Sequence, residues 1–465
     1  MRRIYPDYAY GPGPRSDCWW DGTIAAPDWP VLDTDATADV AIIGGGFTGL
    51  SAALHLAEDG VSAAVLEAES PGWGASGRNG GFCCLGGAKL PGAAIRRQYG
   101  KAAADSYFAA EKEAVALVGS LLSRHGIEAD THSEGETLMA HSPKAACRLR
   151  AEAEALRAEG QDPVFLERGD LAGAGLNGEF HAALTTPAGF ALNPRKYLFG
   201  LARAAQSAGA GLFQHSRALA IERTGSTYRV RTPRGDLRAR RVVIATNGYS
   251  SEDLPPELAG RYMPAQSTVM VTRPLTESEL AAQGWTSAQM AYDTRNLLHY
   301  FRLMPDRRFL FGMRGGLISS PRAEAAIRGK LRRHFEALFP AWRGAETTHC
   351  WSGMVCLARN LVPFAGPVPG QEGMFAGLCY HGNGVAMGSY SGALLASLVQ
   401  GRPPELPYSP VMQSLARFPL GRARRLLMPP AYALLGLMDW SAAISSSSAA
   451  RSRPAPPPCS DRHRQ

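Results

Sequence analysis

Residues 39–69, DVAIIGGGFTGLSAALHLAEDGVSAAVLEAE, constrain the fold of this 465-residue chain more than any other stretch. VAII is an apolar run of strand length, three glycines follow it, Thr48 to Glu58 carries apolar residues at helical spacing, Gly60 ends that helix, and SAAVLE is a second strand. Two strands joined through a helix open a βαβ unit and therefore a parallel sheet. Gly44-x-Gly46-x-x-Gly49 sits where strand meets helix, the context in which glycines permit a tight turn, main-chain approach to a pyrophosphate and close helix packing. Phe47 and Thr48 begin the helix, whose free N–H groups would face the phosphates. Glu67, followed by Ala68, ends the second strand; there it would accept hydrogen bonds from ribose hydroxyls and repel a 2′-phosphate, so NAD or FAD fits better than NADP. The glycines alone do not choose between those two.

A chain of this length is expected to divide into two or more domains, and its 45% apolar content is ample for globular cores. The net charge of +8 is concentrated at one end: nine Arg and three acidic residues lie from Gly401 on, so +6 of it sits there. The nearly neutral remainder argues against a nucleic-acid groove. MRRIYPDYAYGPGPRSDCWW lacks the apolar core of a secretory signal, and LLMPPAYALLGLM is too short and Pro-interrupted to span a bilayer, so no transmembrane segment and a cytoplasmic location are expected. Eight Cys without C-x-x-C spacing read as buried thiols rather than disulfides or a metal site, with Cys83 and Cys84 explained by packing.

The segment after the second strand selects the cofactor. In SPGWGASGRNGG, the glycine-rich run Ser76-Gly77-Arg78-Asn79-Gly80-Gly81 leaves room for a flat ring, and Ser76, Arg78 and Asn79 have side chains suited to pyrophosphate or flavin carbonyls. Here the sequence resembles the FAD-dependent D-amino acid oxidase family, in its γ-glutamylputrescine oxidase and sarcosine oxidase branch. Three more segments extend the resemblance through most of residues 17–400. RRVVIATNGYS is similar to the family's second FAD strand, with Thr246, Asn247 and Gly248 turning beneath the cofactor. LARNLVPFAGPVPG, carrying Pro363 and Gly366, resembles the segment before the last flavin-contacting strand. LCYHGNGVAMG resembles the final flavin motif, which implies main-chain contacts from Gly382, Asn383, Gly384, Val385, Ala386 and Met387. A helix start there would stabilise negative charge on reduced flavin. Asn383 stands between the glycines where relatives often have His, and His381 comes two places earlier. Ala218, in the alternating region before that second FAD strand, completes the cofactor set. Some relatives attach flavin through a Cys at a position where DTRNLLHYF has none, so noncovalent FAD is expected.

The resemblance implies oxidation of a C–N bond by hydride transfer to the flavin, with an amine or amino acid as substrate and O2 or an electron carrier as acceptor. Candidate substrate-site residues are His381 and, on the strand LLHYFRLMP, His299, Tyr300 and Arg302. Alternation puts His299, Phe301 and Leu303 on one face and Tyr300, Arg302 and Met304 on the other, and does not say which lines the pocket. Arg302 would suit a substrate carboxylate. Sarcosine oxidase-like relatives use a Lys near the flavin with O2, and no Lys occurs between Lys196 and Lys330, which keeps a dehydrogenase reading open. The basic, partly apolar RFPLGRARRLLMPPAYALLGL would suit peripheral membrane contact in that case. A catalytically inert FAD-stabilised binding protein is the third reading.

The expected architecture is α/β: a Rossmann-like FAD-binding domain with an inserted antiparallel-sheet substrate domain. Residues 1–38 form an N-terminal arm; 39–110, 187–262 and 350–401 the discontinuous FAD-binding domain; 111–186 and 263–349 the substrate domain; 402–440 a helical extension; and 441–465 a disordered tail.

Overall fold

The computed structural model describes residues 1–447, with side chains described through residue 439. The opening motif folds as its pattern requires. The strand Ala36–Ile43 leads into the glycine turn, the helix Phe47–Glu58 and the strand Ala63–Leu66. Ala36–Ile43 lies at the centre of five parallel strands in the order Met374–Leu378, Asp236–Ile244, Ala36–Ile43, Ala63–Leu66 and Gly211–Phe213. Phe364–Pro367 extends one edge antiparallel, and the hairpin Ala220–Thr224 with Thr227–Arg231 adds antiparallel to Asp236–Ile244. Parallel strands buried on both faces read as continuous apolar runs, which is why VAII and RRVVIA were visible in the sequence. On one face the helices Phe47–Glu58, Pro194–Ser207, Lys101–Arg124 and Ala386–Val399 pack into a common core. The helices Pro143–Ala158, Pro194–Ser207 and Pro321–Leu338 each begin with Pro after an N-cap (Ser142, Asn193, Ser320) whose side chain accepts a main-chain N–H.

A second sheet of eight strands runs Thr347–Ala358, Tyr262–Thr272, Phe309–Arg314, His299–Leu303, Met290–Asp293, Glu136–Met139, Ala182–Thr186 and Val164–Glu167. Every neighbouring pair is antiparallel except Glu136–Met139 beside Met290–Asp293. One face rests on an aromatic core in which Phe301, Phe309, Phe311 and Trp285 meet Phe335, Phe339 and Trp342 from Pro321–Leu338 and the turn after it. The other face looks toward the glycine-rich loops of the first sheet. The strand Thr347–Ala358 pairs along Tyr262–Thr272, so its residues from 350 on belong to the second sheet and not to the nucleotide-binding unit in which the sequence reading placed them.

The N-terminal arm makes three short 3-10 turns, and Trp20 is buried beneath the loop at Asn79, whose carbonyl accepts its Nε1–H at 2.8 Å. At the other end the helix Met428–Ser447 includes the first residues of the stretch expected to lack structure, and the remainder of that stretch, 448–465, lies outside the described residues. The basic segment before this helix is only partly at the surface. Arg424 is fully buried and ion-pairs with Glu252, and Arg425 donates to the Leu317 carbonyl, while Leu426, Leu434 and Leu437 point outward. No helix among the described residues is long and apolar enough to cross a membrane.

Candidate active site

Where the strand Ala36–Ile43 ends, Gly44 has a φ of +109° and its missing Cβ would lie 2.9 Å from the Ala245 carbonyl oxygen. A Cβ on Gly49 would lie 2.0 Å from the Gly44 carbonyl oxygen, and one on Gly46 would lie 2.8 Å from Ser76 Oγ. The turn is therefore a cradle that only glycine fits. Glu67, at the end of the neighbouring strand, accepts the Gly45 N–H at 2.9 Å and the Glu69 N–H at 3.0 Å, tying the turn to the next loop; its burial pushes the carboxyl up. Around this point runs a cleft lined by Gly44, Gly46, Glu67, Ala68, Ser76, Ala218, Thr246, Asn247 and Gly248. Phe47 and Thr48 turn their side chains inward, Phe47 onto Tyr197 and Thr48 to the Tyr380 hydroxyl at 2.9 Å, and lie outside the cleft lining, with the Phe47 N–H donating to Ser76 Oγ at 3.1 Å. Arg3, Trp73 and Arg217 also line it, and sequence reasoning missed them.

A second cleft, with a cavity of about 320 Å3, joins the first at Ala75 and lies between the 78–89 loop, residues 380–383 and the free face of the second sheet. Arg78 is buried; one guanidinium nitrogen donates to the Tyr249 hydroxyl, while Nε and Nη1 have no partner among the described residues. Asn79 braces its own loop: Nδ2 donates to the Ala75 and Ser76 carbonyls and Oδ1 accepts the Gly81 N–H at 2.7 Å. Gly81 has a φ of +73°, with the Leu192 carbonyl 2.0 Å from where a Cβ would be. Gly80 lies against the Tyr300 ring, and Gly77 packs on Gly72. Asn383 is a brace of the same kind, donating to the Cys84 and Leu85 carbonyls at 2.9 and 2.6 Å. The side-chain role expected for Asn79 is thus replaced by loop support. Gly382 lines the cleft; Gly384 lies outside its lining, and Val385, Ala386 and Met387 are buried at the start of Ala386–Val399, which has no side-chain cap.

The four substrate-site candidates separate. Tyr300 lines the second cleft with its hydroxyl 2.9 Å from Ser267 Oγ, and Gly312 across the strand pair leaves room for its ring. Arg302 shares that face but lies two residues further along, against Trp20 and Phe82, with Nη2 donating to the Leu192 carbonyl at 2.8 Å; it lines a different cleft. His299 is on the opposite face, stacked on Phe311, hydrogen-bonded to Asp293 at 2.7 Å and to His334 at 2.7 Å, and reaches neither cleft. His381 lines the cleft, but its Nδ1–H donates to the Gly87 carbonyl at 2.7 Å and its Nε2 accepts the Ala358 N–H at 3.0 Å. Burial lowers it to about 4, so the ring is a neutral strut between two main-chain segments with no nitrogen left for proton transfer.

Among the lining residues not picked out in the sequence are Lys89, Tyr292 and Arg314. Arg314 donates to the His381 carbonyl at 2.8 Å, and neither it nor Lys89 pairs with a carboxylate among the described residues. The cleft walls, then Arg314, lower the Lys89 ammonium to about 8, although the side chain keeps contact with solvent. The interval without Lys between residues 196 and 330 therefore does not leave the cleft without one. Cys84 lines the cleft, and Cys83 is buried behind it.

A glycine cradle beside a buried carboxylate, and unmatched buried donors on Arg78 and Trp73, form a donor set that fits a dinucleotide carrying a flat, carbonyl-bearing ring. The comparisons agree. Residues 39–398 match the family described as FAD dependent oxidoreductase. The chain is 31% identical over 392 residues to probable oxidoreductase OrdL of Rhizobium meliloti (strain 1021), covering 83% of this chain and 89% of that protein. It is 29% identical over 399 residues to γ-glutamylputrescine oxidoreductase of Escherichia coli (strain K12), covering 86% and 91%. Among solved structures, glycine oxidase from Geobacillus kaustophilus superposes with a TM-score of 0.68 at 21% identity, covering 82% of this chain and 99% of that one. Together with the cradle and the two joined clefts, these matches establish that the chain is an enzyme of the FAD-dependent oxidoreductase family with FAD as its cofactor.

Proposed function

We propose that this protein oxidises the C–N bond of an amine that also carries a carboxylate, an amino acid or an amino-acid conjugate of a polyamine. The observation that carries this reading is the pair Arg314 and Lys89: two cations facing one cleft with no carboxylate partner among the described residues. Like charges held together without a counter-ion favour an anionic ligand, and a guanidinium suits a carboxylate by two parallel N–H donors. The names of the relatives, γ-glutamylputrescine oxidoreductase and glycine oxidase, are consistent with that class.

The first cleft would hold the adenosine and pyrophosphate of FAD, with Glu67 at the ribose and the Gly44–Gly49 turn at the phosphates, and the second would hold the ring and the substrate. Bound FAD supplies a hydride acceptor. The chain's own residues orient and exclude: Arg314 and Lys89 fix the carboxylate, the Tyr300 ring walls the substrate, and His381 holds the 87 and 358 segments together so that the cleft stays narrow. Cys83 and Cys84, both held well above their ordinary thiol range by burial, do not attach the cofactor covalently in this reading.

The test is anaerobic bleaching of the purified yellow protein against amino acids, γ-glutamyl polyamines and uncharged amines. Bleaching by carboxylated amines is expected, with Arg314→Met lowering their kcat/KM roughly 10- to 150-fold, from loss of a charge-assisted hydrogen bond of about 1.5–3 kcal/mol. Equal loss with an amine lacking a carboxylate would refute the carboxylate assignment. Readmitting air and measuring peroxide then identifies the electron acceptor as O2 or another carrier.

A further inference from the structure

Glu136 is a buried carboxylate that the reaction above does not use. It stands on Glu136–Met139, which runs parallel to Met290–Asp293 with Leu138 opposite Tyr292. Side chains two apart on a strand share a face, so Glu136 is on the cleft side with Tyr292. Tyr292 is in turn directly opposite Tyr300, and both line the cleft. The Tyr292 hydroxyl donates to Glu136 Oε1 at 2.9 Å, and the Leu85 N–H donates to Oε2 at 2.9 Å. Glu136 is 7% exposed. The groups facing it are Tyr292 from its neighbouring strand, Cys83 and Cys84 from the loop, and Glu111 from the helix Lys101–Arg124. No cation pairs with it among the described residues. Its burial outweighs its hydrogen bonds and pushes the carboxyl up to about 7.

A carboxylate hidden without a cation is costly, and this one is joined to the cleft by the Tyr292 hydroxyl and the Cys84 thiol. The cleft's other tyrosines lead elsewhere: Tyr300 to Ser267 and Tyr380 to Thr48. His381 has no nitrogen free, and Arg314 is a permanent cation. Lys89, lowered to about 8, lines the cleft on its solvent side and is given to the substrate carboxylate in this reading, and the Cys84 thiol beside Glu136 is pushed well above its ordinary range by burial; Tyr292 is thus the hydroxyl that leads from the cleft to its buried carboxylate.

We propose that Tyr292 and Glu136 form a proton relay that converts the bound substrate from ammonium to neutral amine before its C–N bond is oxidised. The inference rests on the reading of the second cleft as an amine-oxidising site. One substrate N–H proton passes to the Tyr292 oxygen as the Tyr292 proton passes to Glu136 Oε1. A neutral amine, an unchanged tyrosine and a protonated Glu136 result, and no electrons move in this step. The nitrogen lone pair is then free to support loss of hydride from the adjacent carbon. The Glu136 proton returns to solvent through Tyr292 when product leaves. Tyr292 touches the substrate, and Glu136 acts through it.

The experiment uses the FAD-loaded full chain and follows anaerobic flavin bleaching from about pH 6 to pH 10 with the best alkylamine-type substrate of the panel. Wild type is expected to gain rate as pH rises through about 7, where Glu136 ionises. Free in solution an alkylammonium, with a pKa of about 10.4, is neutral in only roughly one molecule per thousand at pH 7.4, whereas bound in this cleft it faces Arg314 and Lys89, whose like charge lowers its pKa toward that of Glu136 and makes the transfer favourable. Glu136→Gln and Tyr292→Phe are therefore expected to bleach roughly 10²–10³-fold more slowly near pH 7.5 and to recover to within a few-fold of wild type near pH 10. A loss of the same size at every pH, or no loss at pH 7.5, overturns the relay. A second readout is infrared difference spectroscopy on binding a non-oxidisable amine at about pH 8: wild type should show a new protonated-carboxyl band that Glu136→Gln lacks, and its absence in wild type overturns the relay. If amines bleach wild type and the variants keep its pH profile, the relay alone falls. If no amine bleaches wild type, the reading of the cleft falls and takes the relay with it.

Discussion

Gly49→Ala pits two effects of opposite sign against each other. Gly49 lies inside the helix Phe47–Glu58, where exchanging Gly for Ala would ordinarily gain about 1 kcal/mol of helix propensity. Here the new Cβ would meet the Gly44 carbonyl oxygen at 2.0 Å and Ile42 Cγ2 at 3.2 Å. Against an ordinary non-bonded separation of about 3.5 Å, the shortfall at Gly44 is roughly 1.5 Å. The obstructing atom is main chain, so no rotamer relieves it: either the helix start moves off the strand or the turn is rebuilt. Overpacking costs about 1–3 kcal/mol even where side chains give way, and a main-chain obstruction puts it at the top of that range, so the clash wins and a net loss of about 2 kcal/mol is expected. FAD retention should fall with it, because the displaced atoms are those of the phosphate turn. Gly46→Ala differs: its Cβ would meet Ser76 Oγ at 2.8 Å, a side-chain atom, so adding Ser76→Ala should recover part of its loss and none of that of Gly49→Ala. Gly22→Ala, with open space at its Cβ, serves as the unperturbed control. Visible absorbance of the purified proteins and their denaturant midpoints are the assays. A Gly49→Ala protein that purifies yellow with an unshifted midpoint would refute the close-approach argument.

Glu67→Gln leaves one of the two main-chain N–H groups at Gly45 and Glu69 facing an amide NH2; a stability loss of about 1–3 kcal/mol and weaker FAD binding are expected, read by denaturation and flavin titration, and wild-type values for both would remove Glu67 from the turn. Arg302→Met leaves the Leu192 carbonyl unmatched, so it should lower stability by about 1–3 kcal/mol with substrate KM within about twofold of wild type; a tenfold rise in KM for carboxylated substrates would instead bring Arg302 into the active site. His381, held at about 4 in the fold against about 6.5 unfolded, binds fewer protons folded than unfolded in that window, so its contribution is fully present above pH 6.5 and is lost as pH falls toward 4, by about 3 kcal/mol. The wild-type minus His381→Gln difference in unfolding free energy isolates this slope from the opposite ones of Glu111 and Glu136, and a pH-independent difference would contradict it.

What the sequence showed and what it hid follow from how each part of the site is encoded. The cofactor turns are local: Gly44, Gly46, Gly49 and Gly81 report main-chain conformation and close approach, and both survive in the order of the letters. The cleft walls depend on register. Tyr292 reaches the cleft because it stands opposite Tyr300, and Arg314 because it stands opposite Ser267, two pairings that no single segment contains. His381 was legible as a neighbour of the flavin motif, yet its chemistry is set by Gly87 and Ala358, which the fold brings to its two nitrogens. The strand Thr347–Ala358 was missed because Cys, Gly and Ser interrupt its alternation, although its later side chains are buried at every second position. For the face of His299–Leu303 a local signal did exist. Gly312 interrupts the otherwise apolar FLFGMR, and a glycine inside a strand marks close approach by another group. That group is the Tyr300 ring, whose Cζ lies 2.2 Å from where a Gly312 Cβ would be. The glycine thus marks the face that opens on the cleft, and the opposite face, with His299, Phe301 and Leu303, is left to the aromatic core. The same reasoning does not reach Arg302, because its partners Trp20 and Leu192 come from the N-terminal arm and the first sheet's loops. A charged residue on the correct face of the correct strand was therefore a sound expectation for a ligand-binding group and still lay one strand repeat, about 7 Å, beyond the pocket.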